Sequence, residues 1–211
     1  MVLTIFGSTS QLGKELVNQA LHDGYEVRAF GRNVFTAGFA DNSALHLLNG
    51  TLFDKAQVLK AITGADAVLS VMTSNGDGVD HTLSLGVKNI IAQMEKTSLK
   101  RIIALGHSGI LNVSNDSGEL LMDQESFLPE LIPVAVENFK AYQSLQLSNL
   151  RWTLVCPAEV REGSPTGNFR TAAQVFPALF PSDVSTGDVA LFMLSELQHE
   201  DHVNCRVGIS K

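Results

Sequence analysis

Cysteine is scarce in this chain. Cys156 and Cys205 are the only two in 211 residues, and neither belongs to a CxxC pair. That excludes a disulfide framework and leaves no structural zinc signature, so both thiols read as core packing. Basic residues are outnumbered, 15 Lys and Arg against 22 Asp and Glu, for a formal net charge of -7 and a pI near 5.3. Such a chain lacks the positive field that nucleic acids or anionic membranes require. No stretch reaches the roughly 18 apolar residues of a spanning helix. The run from Met1 to Gly7 has no basic region and reads as a strand rather than a secretion signal. The expectation is a soluble, cytoplasmic protein with no nucleic-acid or membrane partner. With 45% hydrophobic and 18% charged residues, the chain is globular, and its length suits a single domain over residues 1–211.

What is present is alternation. Val2 to Phe6 is a short apolar run, followed by Leu12, Leu16, Val17, Ala20 and Leu21 at helical spacing, with Gly24 as the stop. Strands are expected at Tyr25 to Phe30, Ala44 to Leu48, Asp66 to Val71, Arg101 to Leu105 and Trp152 to Cys156, with an edge strand at Val203 to Val207. Helices are expected from Asp54 to Gly64, over Leu83 to Met94, and over Val134 to Leu147 and Val184 to Leu197. Asp66 to Val71 is nearly all apolar, as a strand buried on both faces should be. The β-α-β-α order predicts an α/β fold, a doubly wound parallel sheet covered by helices on both faces. Ala158 to Ser182 lacks a period and holds several Gly and Pro residues; it is either a lid over a site or a long surface excursion.

The sharpest motif is Gly7-Ser8-Thr9-Ser10-Gln11-Leu12-Gly13, between the first strand and the first helix. Gly7 permits the tight turn, and Gly13 lets the helix approach the sheet. The helix amino terminus then offers amides and a positive dipole end to a pyrophosphate, with hydroxyls of Ser8, Thr9 and Ser10 as further donors. At the end of the second strand a dinucleotide fold for NAD usually places an acidic residue. This chain has Arg32 instead, whose guanidinium suits a 2′-phosphate. NADP(H) is therefore expected in preference to NAD(H).

With these blocks the sequence resembles the atypical short-chain dehydrogenases, in particular the NAD(P)H-binding group that contains biliverdin-IXβ/flavin reductases and NmrA-like proteins. Leu52-Phe53-Asp54, Asp66 to Val71, Arg101 to Ser108 and Leu150 to Ala158 carry the rest of the resemblance. It implies a Rossmann-type fold with a small irregular substrate-side region. It implies that Phe53 and Asp54 flank the adenine, with Asp54 accepting from its amino group. Val71, Met72 and Thr73 would line the ribose and nicotinamide side, and Leu105, Gly106 and His107 would pass beneath the nicotinamide. Pro157, Ala158, Glu159 and Val160 would close over that end, Ser108 would stand near hydride transfer, and Ser164 to Phe169 would form a substrate-side loop.

The chain departs from the group's wider pattern. Ser10 replaces the middle glycine of GxxGxxG. Tyr25 is followed four residues later by Ala29, and Tyr142 by Gln146, so the YxxxK pair that protonates a carbonyl oxygen is missing. A flavin, quinone or similar conjugated acceptor needs little proton chemistry from the protein and fits that omission. In this reading Ser108 orients the acceptor or relays a proton, and His107 is either an acid near neutral pH or a loop histidine that meets the cofactor only through its backbone. Lys140 is either a ribose ligand or a solvated helix lysine. Two functions stay open: a reductase of a small conjugated acceptor, or a non-catalytic NADP(H)-binding redox sensor, as monomer or homodimer.

Overall fold

The computed structural model describes residues 1–157, 159–177 and 183–211. In chain order the elements are β1 (Val2–Phe6), α1 (Gln11–His22), β2 (Glu26–Gly31), β3 (Leu45–Asn49), α2 (Lys55–Ile62), β4 (Ala67–Ser70), α3 (Thr82–Met94), β5 (Arg101–Leu105), α4 (Ile132–Gln146), β6 (Arg151–Pro157), β7 (Glu159–Arg161), β8 (Arg170–Ala173), β9 (Asp183–Ser185), α5 (Thr186–His199) and β10 (Cys205–Ser210). Three helices, α1, α2 and α5, start where a side chain at the cap satisfies free amides. The Ser10 hydroxyl accepts from Gly13, Asp54 from Ala56 and Gln57, and Ser185 from Asp188.

The main sheet has the order β3-β2-β1-β4-β5-β6-β10-β8 and is parallel except for β8. Adjacent residues of β1 serve opposite layers. Ile5 joins Leu16, Val189 and Met193 beneath α1 and α5, and Phe6 joins Val58, Val87, Ile90 and Leu145 beneath α2, α3 and α4. The direction of winding reverses between β1 and β4, which opens a crevice above the carboxyl ends of those strands. This is the expected doubly wound Rossmann-type α/β fold.

Three expectations need correction. The last strand is not at the edge: β10 runs Cys205–Ser210 and lies between β6 and β8. Its outer neighbour comes from the aperiodic stretch, where no pattern announced a strand. The final helix begins at Thr186, because Val184 belongs to β9, which pairs in parallel with β7. The stretch 159–177 is neither a free lid nor a plain excursion, since it supplies β7 and β8. Its Ser164 to Gly167 loop is strapped to α5, where the buried Asp188 carboxylate accepts from the Thr166 and Gly167 amides and both the Thr166 and Ser185 hydroxyls. Burial raises that carboxyl's pKa, but these bonds outweigh it and hold the value below the usual range.

Candidate dinucleotide site

The turn from β1 into α1 leaves no room for side chains at its glycines. Gly7 has φ +78, and a Cβ there would sit 2.9 Å from the Val71 carbonyl carbon and oxygen. A Cβ on Gly13 would meet the Gly7 carbonyl oxygen at 2.2 Å and the Ser8 Cα at 2.7 Å. The helix thus starts in contact with the turn. Gln11 and Leu12 open it with amides that have no acceptor among the described residues. That is the cradle a pyrophosphate requires, formed from backbone alone.

The three hydroxyls divide differently from expectation. Ser8 is fully buried and donates to the Phe30 carbonyl, so it ties β1 to β2 rather than facing a ligand. Ser10 donates to the Gly7 carbonyl while capping Gly13. In the place of the usual glycine it therefore stabilises the turn. Thr9 alone keeps an exposed hydroxyl with no partner among the described residues.

A cleft of about 230 Å3 lies beside the turn, lined by Gly7, Thr9, Phe30, Gly31, Arg32, Gly50, Thr51, Leu52, Phe53, Met72 and Thr82. Phe30 forms one wall and stacks edge-on against Phe6 at 5.1 Å. Gly50 lies so close to that ring that a Cβ would come within 2.6 Å of it. Phe53 is 57% exposed at the rim. Arg32 is exposed, and its guanidinium has no ion pair or hydrogen bond to the described residues. Asp54 stands apart from this lining; its Oδ1 is committed to the α2 cap at 2.9 and 3.0 Å. Its Oδ2 makes no hydrogen bond among the described residues. The sequence-based site set lacks Phe30, Gly31, Gly50, Thr51, Leu52 and Thr82 of this lining, whose only signal is that they end a strand, follow one or open a helix.

Val71 and Met72 are buried where β4 ends, and Thr73 is exposed. Leu105, Gly106 and His107 leave β5 beside them; a Cβ on Gly106 would lie 2.7 Å from the Cys156 Sγ. The His107 Nδ1 accepts from the Gly109 amide at 3.0 Å, which places its proton on Nε2. Burial pushes its pKa down to about 4. The acid role near neutral pH is thereby corrected: at pH 7 this imidazole is neutral and has one N–H to donate. Because the folded state resists protonation, the associated stability is complete above pH 6.5 and is lost as pH falls toward 4. NMR of the His107 ring should show a flat titration from pH 8 to about pH 5; a midpoint near 6.5 would show the ring to be solvated. Ser108 is buried, and its hydroxyl bonds to none of the described residues.

Of the remaining expected residues, Pro157 is buried at the end of β6, and Ala158 lies outside the described residues. Glu159 is exposed and pairs with Arg161 at 3.2 Å, and Val160 is partly buried against the α1/α5 core. Phe169 stacks on Phe192 in that core, whereas Phe127 meets His107 edge-on at 6.2 Å. Phe180 is outside the described residues. On α4, Tyr142 packs on Trp152 at 5.7 Å. The Lys140 Nζ donates to the buried Glu137 carboxylate at 2.7 Å, and the His81 Nδ1 lies 2.9 Å from the same oxygen. Burial raises the Glu137 pKa, but bonds from Lys140, Ser84 and His81 outweigh it and hold it at about 2.

A glycine-framed backbone cradle at the switch point, with a cleft over the first three strands, defines a dinucleotide-binding protein. A family model for NAD(P)H-binding proteins matches residues 7–200. The chain belongs to that NAD(P)H-binding family. It is 28% identical to an uncharacterised Bacillus subtilis protein, YwnB, over 99% of this chain and 98% of that one. A candidate NADH-flavin reductase from Streptococcus pneumoniae superposes with a TM-score of 0.86 at 25% identity, covering 100% and 99% of the two chains. A Veillonella parvula short-chain dehydrogenase/reductase solved with NADP shares the fold, with a TM-score of 0.79 at 18% identity over 100% and 94%. Among the described residues no helix is long and apolar enough to cross a membrane.

Proposed function

We propose that this protein is a cytoplasmic oxidoreductase that prefers NADPH and reduces a small, flat, conjugated acceptor such as a flavin or quinone, acting as a monomer or homodimer. The observation that carries the cofactor preference is Arg32, an unpaired guanidinium on the rim of the cleft at the end of β2. A 2′-phosphate is the dianion such a fork accepts. The Gly7 to Gly13 cradle would hold the pyrophosphate, and Phe53 would cover one face of the adenine. The nicotinamide supplies the hydride when bound.

The acceptor class follows from what α4 offers. Tyr142 is packed in the core, Lys140 is bound to Glu137, and Val136 stands four residues before Lys140. Among the described residues no hydroxyl is hydrogen-bonded to a lysine ammonium, so none is activated in that way for a carbonyl oxygen. Neutral His107 and buried Ser108 suit orientation of an acceptor that takes its proton from solvent. The flavin reductase description of the pneumococcal neighbour agrees with this class.

Side-by-side titration with NADPH and NADH, then an acceptor screen, tests the reading. Arg32→Ala is expected to weaken NADPH binding by about 1–3 kcal/mol, the range for a charge-assisted bond, and to leave NADH nearly unchanged. Equal losses would remove the 2′-phosphate assignment. Tight NADPH binding with no turnover of flavins or quinones would favour the redox-sensor function instead.

A further inference from the structure

Arg206 is a buried cation with no carboxylate in ion-pair range among the described residues. It lies in β10 and is 6% exposed. Desolvating a guanidinium without a counter-charge is expensive, so the donors must be used well. They are. Nη1 donates to the Ile110 carbonyl, Nη2 to the Asn112 Oδ1 at 2.9 Å, and Nε to the Gln174 Oε1 at 3.0 Å. The guanidinium carbon sits 4.7 Å above the Tyr142 ring.

These partners come from separate parts of the chain. Ile110 ends the 3-10 turn Ser108–Ile110, which follows His107 directly. Asn112 continues from it, bridging to Leu120 and Val175. Gln174 follows β8 and is held at φ +65, a strained angle for a residue with a side chain. Its amide donates to the Arg206 carbonyl at 2.7 Å, and its carbonyl accepts from the Asn112 amide at 2.8 Å. The turn bearing Ser108 is therefore fastened from behind by a single planar fork that joins two chain segments, the stretch through Ile110 and Asn112 and the one at Gln174.

We propose that Arg206 is a positioning residue for the acceptor side of the site: it sets the Ser108–Ile110 turn and thereby the pose of the acceptor, without touching the dinucleotide. This rests on the reading above that the His107–Ser108 turn faces the acceptor. The geometry of the fork, not the charge alone, is what the arrangement uses, because the three acceptors are met by three separate nitrogens of one planar group, Nε, Nη1 and Nη2, whereas a lysine ammonium brings its three N–H donors to a single nitrogen.

Arg206→Lys and Asn112→Ala test this. Arg206→Lys keeps the charge and loses the fork; Asn112→Ala removes one arm and keeps the buried cation, so it serves if the lysine variant does not fold. Hydrogen exchange at the Ile110 and Leu111 amides, which bond to His107 and Ser108 carbonyls, needs no acceptor. The expected result is at least tenfold faster exchange at both amides, with NADPH affinity within twofold of wild type. Unchanged exchange, or NADPH affinity falling in parallel, overturns the proposal. Where the wild-type protein reduces an acceptor, kcat/KM for that acceptor should fall at least tenfold in Arg206→Lys while KM for NADPH holds; full activity in the lysine variant would overturn it. Absence of turnover in wild type would remove the reductase reading, leaving the clamp to be judged by exchange.

Discussion

Gly13→Ala will cost about 3 kcal/mol of stability or more and will cut dinucleotide affinity by more than tenfold, the upper range for forcing one methyl group into a packed site. The added Cβ would fall 2.2 Å from the Gly7 carbonyl oxygen and within 2.8 Å of Ser8 backbone atoms. Nothing there is a flexible side-chain end that could swing away. The helix must back off, and two consequences follow together. Ser8 loses its grip on the Phe30 carbonyl, now 3.1 Å away, and the Gln11 and Leu12 amides leave the place where the pyrophosphate would meet them. Gly118→Ala is the control, since a Cβ there has nothing within 4 Å; it should shift the urea midpoint very little. Equilibrium unfolding and NADPH fluorescence titration read both effects. A folded Gly13→Ala protein with wild-type affinity would mean that the cofactor does not use this cradle.

Gly13 was legible in the sequence because its constraint is local. A strand, a turn and a helix within thirteen residues leave few geometries, and glycine marks the close approach. The same holds for the buried strands, whose apolar runs need cover on both faces. Burial and partnership beyond the local element left no such trace. Ser8 and Ser10 look alike as hydroxyls, yet the fold turns Ser8 inward to Phe30 and bends Ser10 back to cap its own helix. His107 reads as a titrating group until its desolvation is known. Asp54 reads as a ligand residue from its place after the third strand, and only the fold shows that the α2 cap claims its Oδ1. β7 and β9 have three residues each, too short for any periodicity. β8 is mostly exposed, so its pairing with β10, from Val207 opposite Ala173 to Ser210 opposite Arg170, depends on a partner far along the chain. Arg206 is the sharpest case: one charge in an apolar strand, whose meaning lies in Ile110, Asn112 and Gln174.

At the opposite end of the sheet, Glu196→Ala is expected to destabilise the protein by about 3–5 kcal/mol, the cost of stranding a buried charge. Arg101 opens β5 at 6% exposure and donates from Nη2 to the Glu196 Oε1 at 3.0 Å. The Thr153 hydroxyl lies 3.1 Å from the same oxygen, the His202 amide donates to it at 3.0 Å, and the His202 Nδ1 lies 2.8 Å from Oε2. Glu196 thus joins the end of α5 to β5, β6 and the turn before β10. Burial already pulls the Arg101 pKa below its ordinary range, and the Nε has no hydrogen bond. Without Glu196 the nearest carboxylate is Glu200, 3.8 Å from that nitrogen and partly solvated, too weakly placed to compensate. Replacing both charges, as Arg101→Met with Glu196→Leu, should recover much of the loss, because the pair's own net contribution is small beside the penalty of separating it. Since Arg101 and Glu196 sit at the amino ends of the strands, away from the cradle, NADPH affinity of the folded variants should match wild type. A loss below about 1 kcal/mol for Glu196→Ala in urea at pH 7 would show that water reaches Arg101, as it does for solvent-exposed ion pairs.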